Sequence, residues 1–184
     1  ITGLSREGEV QIIFARCLNV WGGKLYDPLM EFLRQQNDTT DIFCFQEVSE
    51  SAASSTSPEG FRSTILDEIR STLNEHYCYF APIMNNATGN PPGIYRPLSI
   101  GLAMFIRRSV TYGGYGEKFV YGNRNQYVPP DLTTIPRLIQ YCTIEADGVP
   151  CTIVNFHGIH GDGKMDTENR LAQSINIQNF PHGQ

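Results

Sequence analysis

The stretch Asp41-Ile42-Phe43-Cys44-Phe45-Gln46-Glu47 decides how this chain folds. Its centre is apolar and aromatic, so it reads as a buried strand that ends on a carboxylate. Upstream, Val10 to Leu18 is a second run rich in Val, Ile and Phe, broken at Asn19-Val20-Trp21-Gly22-Gly23. Between the two, Asp27-Pro28 supplies a helix cap and a first-turn proline, and Leu29, Phe32, Leu33 and Gln36 recur at helical spacing. Strand, helix, strand is a βαβ unit, and its crossover makes the strands parallel. Parallel strands bring their carboxyl ends to one sheet edge, where open α/β folds hold ligands. Asn19 and Glu47 are predicted at that edge.

Further along, Ser57-Pro58 opens a predicted helix carrying Phe61, Ile65, Ile69 and Leu73. Tyr77 to Ala81 reads as a short strand, Pro82 to Pro97 as a polar loop, and Ile100 to Ile106 as a strand. Tyr112 to Pro136 reads mostly as loop, with a short strand around Phe119-Val120-Tyr121. Arg137 to Ala146 and Val149 to His157 flank Asp147-Gly148, the dipeptide of a type I′ hairpin. That turn pairs Gln140 with Asn155, Leu138 with His157, Cys142 with Ile153 and Ile144 with Cys151. A last helix is predicted over Asp166 to Phe180, capped by Asp166, with Leu171, Ser174, Ile175 and Gln178 on one stripe.

The chain has 184 residues, 40% of them hydrophobic and 18% charged, which supplies a core and excludes disordered, collagen-like and coiled-coil classes. No apolar run approaches the roughly 18 residues of a membrane span, and residues 1–20 do not read as a secretory signal. With 14 Lys and Arg against 19 Asp and Glu, the net charge is -5. Counterion release on nucleic acid therefore offers little, which disfavours a passive nucleic-acid binder. A metal bridging carboxylate and phosphate escapes that objection. The five cysteines, an odd count without any C-x-x-C pair, read as buried free thiols of a reducing, cytoplasmic setting.

Each candidate group has a plain structural alternative. Glu47 is either a surface carboxylate at a strand end or a hard oxygen ligand for Mg²⁺, which takes one or two protein carboxylates and keeps several waters. Asn19 is an ordinary strand-end residue, a ligand through its amide oxygen, or a group that orients Glu47. His157, before Gly158, is a structural histidine or a donor to a phosphoryl oxygen or leaving group. His157 and His160 make a poor zinc pair, Gly161 to Lys164 lacks Walker spacing, and Asp162 to Asn169 lacks that of an EF-hand. Arg170 and Gln173 read as a solvated helix face, and Trp21 and Tyr26 as packing under the glycine turn or stacking on a substrate.

Together these segments resemble the endonuclease/exonuclease/phosphatase superfamily, the DNase I-like fold. Asn19-Val20-Trp21 resembles its N-x-W motif, and Phe45-Gln46-Glu47-Val48 its metal-binding Q-E. Gly101 to Phe105 is similar to its central strand, Arg137-Leu138-Ile139-Gln140 with Asn155-Phe156-His157 to its R-x-x-Q and N-x-H strands, and Asp166-Thr167 with Arg170, Gln173 and Ser174 to the following helix. The resemblance implies a four-layer α/β sandwich with two central mixed β-sheets, spanning residues 1–184 as a single domain that lacks its C-terminal part. It implies a divalent-metal-dependent phosphoesterase in which water attacks phosphorus. Glu47 and Asn19 are the implied Mg²⁺ or Mn²⁺ site; His157 and Asn155 are the implied catalytic pair, Asn155 orienting His157. The substrate would be a phosphate ester of nucleic acid, a phospholipid head group or a nucleotide. The family's later motifs, G-D-x-N and a terminal S-D-H, do not occur in these residues. They supply the activator of the attacking water, so a non-catalytic binding or scaffold protein is the alternative. A half sandwich would also expose a sheet edge and depend on further strands or self-association.

Overall fold

The computed structural model describes residues 11–87, 97–129, 131–159 and 165–180. Strand β1 (Ala15–Asn19) leads through a tight turn at Trp21–Gly23 into helix α1 (Tyr26–Gln36) and strand β2 (Ile42–Glu50). β1 and β2 pair in parallel, in register from Ala15 with Ile42 to Asn19 with Gln46, as a βαβ crossover requires. Helix α2 (Ile65–Thr72), strand β3 (His76–Ala87) and strand β4 (Leu98–Arg107) follow. The first sheet has the order β1-β2-β4-β3 and is mixed. Strands β5 (Tyr112–Tyr121), β6 (Arg137–Ala146) and β7 (Val149–Phe156) form the second, antiparallel throughout rather than mixed as expected. Helix α3 (Glu168–Gln178) closes the described chain.

The two-residue alternation of a strand explains the layering. On β2, Phe43 and Phe45 point to α1 and α2, where they pack with Leu29, Leu33, Ile65 and Ile69. Ile42 and Cys44 point the other way and meet Cys142 and Ile144 of β6. On the far side of the second sheet, Val120 and Ile139 pack with Ile177 and Phe180. Helices, sheet, sheet, helix make four layers. Each fully buried Phe or Leu contributes roughly 1.5–3 kcal/mol, so the apolar clusters carry most of the fold.

The hairpin matches its sequence reading. Gln140 pairs with Asn155, Cys142 with Ile153 and Ile144 with Cys151. Asp147 and Gly148 both have positive φ, 52° and 75°, as a type I′ turn needs. The ladder ends at Ile139 with Phe156, so the expected pairing of Leu138 with His157 lies one step beyond it.

Several boundaries differ from expectation. β2 does not end at Glu47; it continues to Glu50 through a bulge between Phe45 and Val48. β3 runs to Ala87 across Pro82, which a strand tolerates because β3 is an edge with one partner among the described residues. β5 is ten residues long where mostly loop was expected, since Gly113, Gly114 and Gly116 hid its pattern. α2 begins at Ile65, not Pro58; Ser57 instead closes a turn, its Oγ accepting from the Phe61 amide at 3.1 Å. In α1, Asp27 lies inside the helix rather than at its cap. α3 is capped by Thr167, whose side chain accepts from the Arg170 amide, and not by Asp166. Its Leu171 and Ile175 are exposed, while Gln173 is buried, contrary to both readings of that helix.

All five cysteines are free, but Cys17 and Cys151 are exposed rather than buried. Burial pushes the Cys44 thiol up to about 12 and that of Cys142 up to about 11. Among the described residues no helix is long and apolar enough to cross a membrane. His160 and the Gly161 to Lys164 segment lie outside the described residues.

Candidate active site

The two sheets are joined by a buried polar clasp. Parity puts Gln46 on the same face of β2 as Ile42 and Cys44, so its amide points into the seam. There Gln46 Nε2 donates to Asn155 Oδ1 at 2.7 Å. Asn155 Nδ2 lies 3.0 Å from the Phe45 carbonyl, 3.2 Å from that of Ala103 and 3.1 Å from Gln140 Oε1. Gln140 Nε2 passes the chain on to the Tyr79 carbonyl at 2.7 Å. Asn155 is 1% exposed and Gln140 fully buried. Every amide in the clasp has partners, as burial demands.

Above the clasp the sequence-predicted groups converge. Asn19 Nδ2 donates to Glu47 Oε1 at 2.9 Å, and Asn19 Oδ1 accepts from the Trp21 amide at 2.8 Å. Of its three possible roles, Asn19 thus displays the orienting one, with one lone pair of Oδ1 left over. Glu47 sits in the bulge at φ 57°. A left-handed carboxylate residue in a strand is strained, by roughly 1–2 kcal/mol. The bulge re-aims the Glu47 side chain while Phe45 and Val48 keep their core positions.

His157 follows β7 directly and its Nε2 is 3.7 Å from Glu47 Oε1. Arg137 Nη1 is 3.4 Å from His157 Nδ1. Guanidinium only donates, so Nδ1 is the acceptor in this contact, and Nε2 is the ring nitrogen facing Glu47. Asn155, two residues back, is committed to the clasp beneath; Arg137 is a side chain that visibly orients the ring. Arg137 itself is 5% exposed, and its Nε has no hydrogen-bond partner among the described residues. Burial lowers its basicity while the Glu47 charge opposes the shift.

Sequence reasoning placed Asn19, Glu47, Asn155 and His157 but gave no role to Gln46 or Arg137. The available signal was a polar residue inside, or heading, an apolar strand. Trp21, expected under the glycine turn, is instead 54% exposed, with Lys24 Nζ 4.8 Å from its ring centroid. Tyr26 is partly buried against the core, with the Arg62 guanidinium 3.7 Å above its ring.

One carboxylate, one amide oxygen and open access to solvent are a hard-oxygen donor set of the kind Mg²⁺ takes. Among the described residues there is no group of three or more His, Cys, Asp or Glu side chains that could hold a metal ion. Glu47 and Asn19 are the residues that could hold a hydrated Mg²⁺ or Mn²⁺.

Two packed sheets with helices outside are the architecture of the endonuclease/exonuclease/phosphatase, or DNase I-like, fold. An endonuclease/exonuclease/phosphatase family protein from Leptotrichia buccalis C-1013-b superposes with a TM-score of 0.61 at 17% identity, over 91% of this chain and 62% of that one. A mannosyl-6-phosphatase from Bacteroides thetaiotaomicron VPI-5482 gives 0.53 at 15% identity, over 90% and 57%. D. rerio TDP2, complexed with single strand DNA product, gives 0.52 at 13% identity, over 92% and 55%. The chain spans little more than half the length of these structures. No family model matches the sequence, and no curated protein does.

Proposed function

We propose that this chain carries the metal-binding half of a divalent-metal-dependent phosphoesterase, which hydrolyses a phosphate ester by attack of water on phosphorus. The observation behind this reading is the meeting of Asn19, Glu47, Arg137 and His157, from both sheets, at one end of the seam. Glu47 would hold Mg²⁺ or Mn²⁺, with Asn19 fixing its carboxylate and lending an amide oxygen. The ion would supply positive charge at the phosphoryl oxygens. Arg137, a buried cation that lines the same site, suits a phosphate oxygen. His157 Nε2–H donates to the phosphoryl or leaving-group oxygen, a role worth about 10²–10⁴ in rate. Asn155 and Gln46 are positioning residues that hold the two halves of the rim in register. Phosphatase and DNA-bound neighbours on the same fold support phosphate-ester chemistry at this level.

Mn²⁺ binding to the 184-residue chain, followed by water-proton relaxation, tests the metal reading. Glu47→Gln should weaken binding at least tenfold with the thermal midpoint preserved; equal binding by both proteins would overturn it. The alternative, a binding protein that keeps the fold without hydrolysis, rests on the absence of G-D-x-N and S-D-H from these residues. It predicts phosphate-ester binding without turnover by the complete reading frame.

A further inference from the structure

Beside Glu47, Arg137 and His157 opens a cavity of about 310 Å³. Met84, Ile100 and Leu102 line it from the first sheet, together with Phe61, Leu132 and Ile135. Outside the three polar residues, every described side chain that lines it is hydrocarbon or thioether. Leu132 is 52% exposed, whereas Met84, Leu102 and Phe61 are buried. The volume is that of a small-ligand site, and the pattern, apolar walls with a few convergent polar groups, is the one such sites share.

The two ends of this cavity select different parts of one molecule. At the polar end, Arg137 is a buried, permanently charged guanidinium, which suits an anion. At the other end, side chains offer nothing to a hydroxyl or a ring nitrogen. Each polar group buried against them without a partner weakens binding by roughly tenfold or more. Building on the phosphoesterase reading, we infer that the substrate is an amphipathic phosphate ester. Its phosphoryl group lies at Glu47, Arg137 and His157, and an alkyl or aryl group on the ester oxygen fills the pocket of Met84, Ile100, Leu102 and Leu132. A sugar phosphate or a nucleotide would bury unpaired hydroxyls or ring edges in the same space. The net charge of -5 agrees, because a small apolar ester asks for no extended basic surface.

The test uses alkylphosphonates, whose C–P bond resists hydrolysis, titrated calorimetrically into the 184-residue chain with Mg²⁺ present. Affinity should climb from methyl- through butyl- to hexylphosphonate, by up to roughly fourfold per methylene and at least tenfold overall. Glucose 6-phosphate should bind no better than methylphosphonate. Leu132→Ser should cut the gain in affinity from methyl- to hexylphosphonate at least threefold. A flat series in the unaltered protein, with inorganic phosphate still bound, overturns the apolar subsite and leaves the phosphoesterase reading standing. A climbing series that inorganic phosphate does not displace overturns the placement of the phosphoryl group. Failure of every probe, inorganic phosphate included, overturns the phosphoesterase reading and this inference with it.

Discussion

Replacing Asn155 with alanine removes the keystone of the inter-sheet clasp, and the cost follows from its contacts. The Asn155 amide accepts one hydrogen bond, from Gln46, and spreads two N–H groups over the Phe45 carbonyl, the Ala103 carbonyl and Gln140 Oε1. That is three bonds' worth at about 1 kcal/mol each. Gln140 Oε1, in a fully buried residue, is then left without that donor, which adds about 1–2 kcal/mol. Gln46 is less affected, since its Nε2 also lies 3.1 Å from Cys17 Sγ and 3.3 Å from the Cys44 carbonyl. The total is about 4 kcal/mol, a large part of the roughly 5–15 kcal/mol that holds a domain together. At a urea slope of about 2 kcal/mol/M, the midpoint should fall by about 2 M. Urea titration followed by tryptophan fluorescence and far-UV circular dichroism measures it. A cycle with Gln46→Leu should return a coupling above about 1 kcal/mol. A loss below about 1 kcal/mol, or additive single effects, would refute the idea that this amide joins the sheets.

Two further substitutions probe the surroundings of the rim. Gly22 has φ +60°, and a Cβ there would stand 2.1 Å from the Phe61 ring. Gly22→Ala should therefore cost about 3 kcal/mol, from backbone strain plus overpacking, and Phe61→Leu in the same chain should recover part of it in a thermal melt. His76 is buried, with Nε2 2.9 Å from the Thr40 carbonyl and Nδ1 without a hydrogen-bond partner among the described residues. Burial, helped by the Arg107 charge, lowers its basicity below the ordinary 6.5. The unfolded chain then binds the proton first, so stability should decline as pH falls below about 6.5. His76→Gln should flatten that decline between pH 7 and 5 in pH-dependent melts.

The parts of the fold visible in sequence were those set by local pattern. Parallel pairing of β1 with β2 followed from strand, helix, strand, and the β6–β7 register from a single Asp-Gly turn. Sequence concealed what only partners decide. Pro82 marks a loop unless its strand has a single neighbour, and the glycines of β5 mask a strand whose pairing with β6 supplies its order. The stripe of Leu171 and Ile175 obeys helical periodicity, yet the side facing the second sheet carries Ile177, with Phe180 just beyond the helix, and the buried Gln173, whose Oε1 accepts from the Ile159 amide. At the site, Asn19 and Glu47 were legible as strand-end oxygens. Arg137 was not, since its importance comes from being 3.4 Å from a histidine twenty residues away.

The rim straddles the seam, with Glu47 from one sheet and His157 from the other. On the phosphoesterase reading, a phosphate bound across it would act as a rivet: it could not be held once the sheets part, so its affinity would be lent to their docking. At a hundredfold excess over its dissociation constant, that linkage adds about 2.7 kcal/mol. Over a stretch of 109 residues between Gln46 and Asn155, chain closure and assembly of the rim become one event, and on that reading a chain without its ligand should loosen first along this seam.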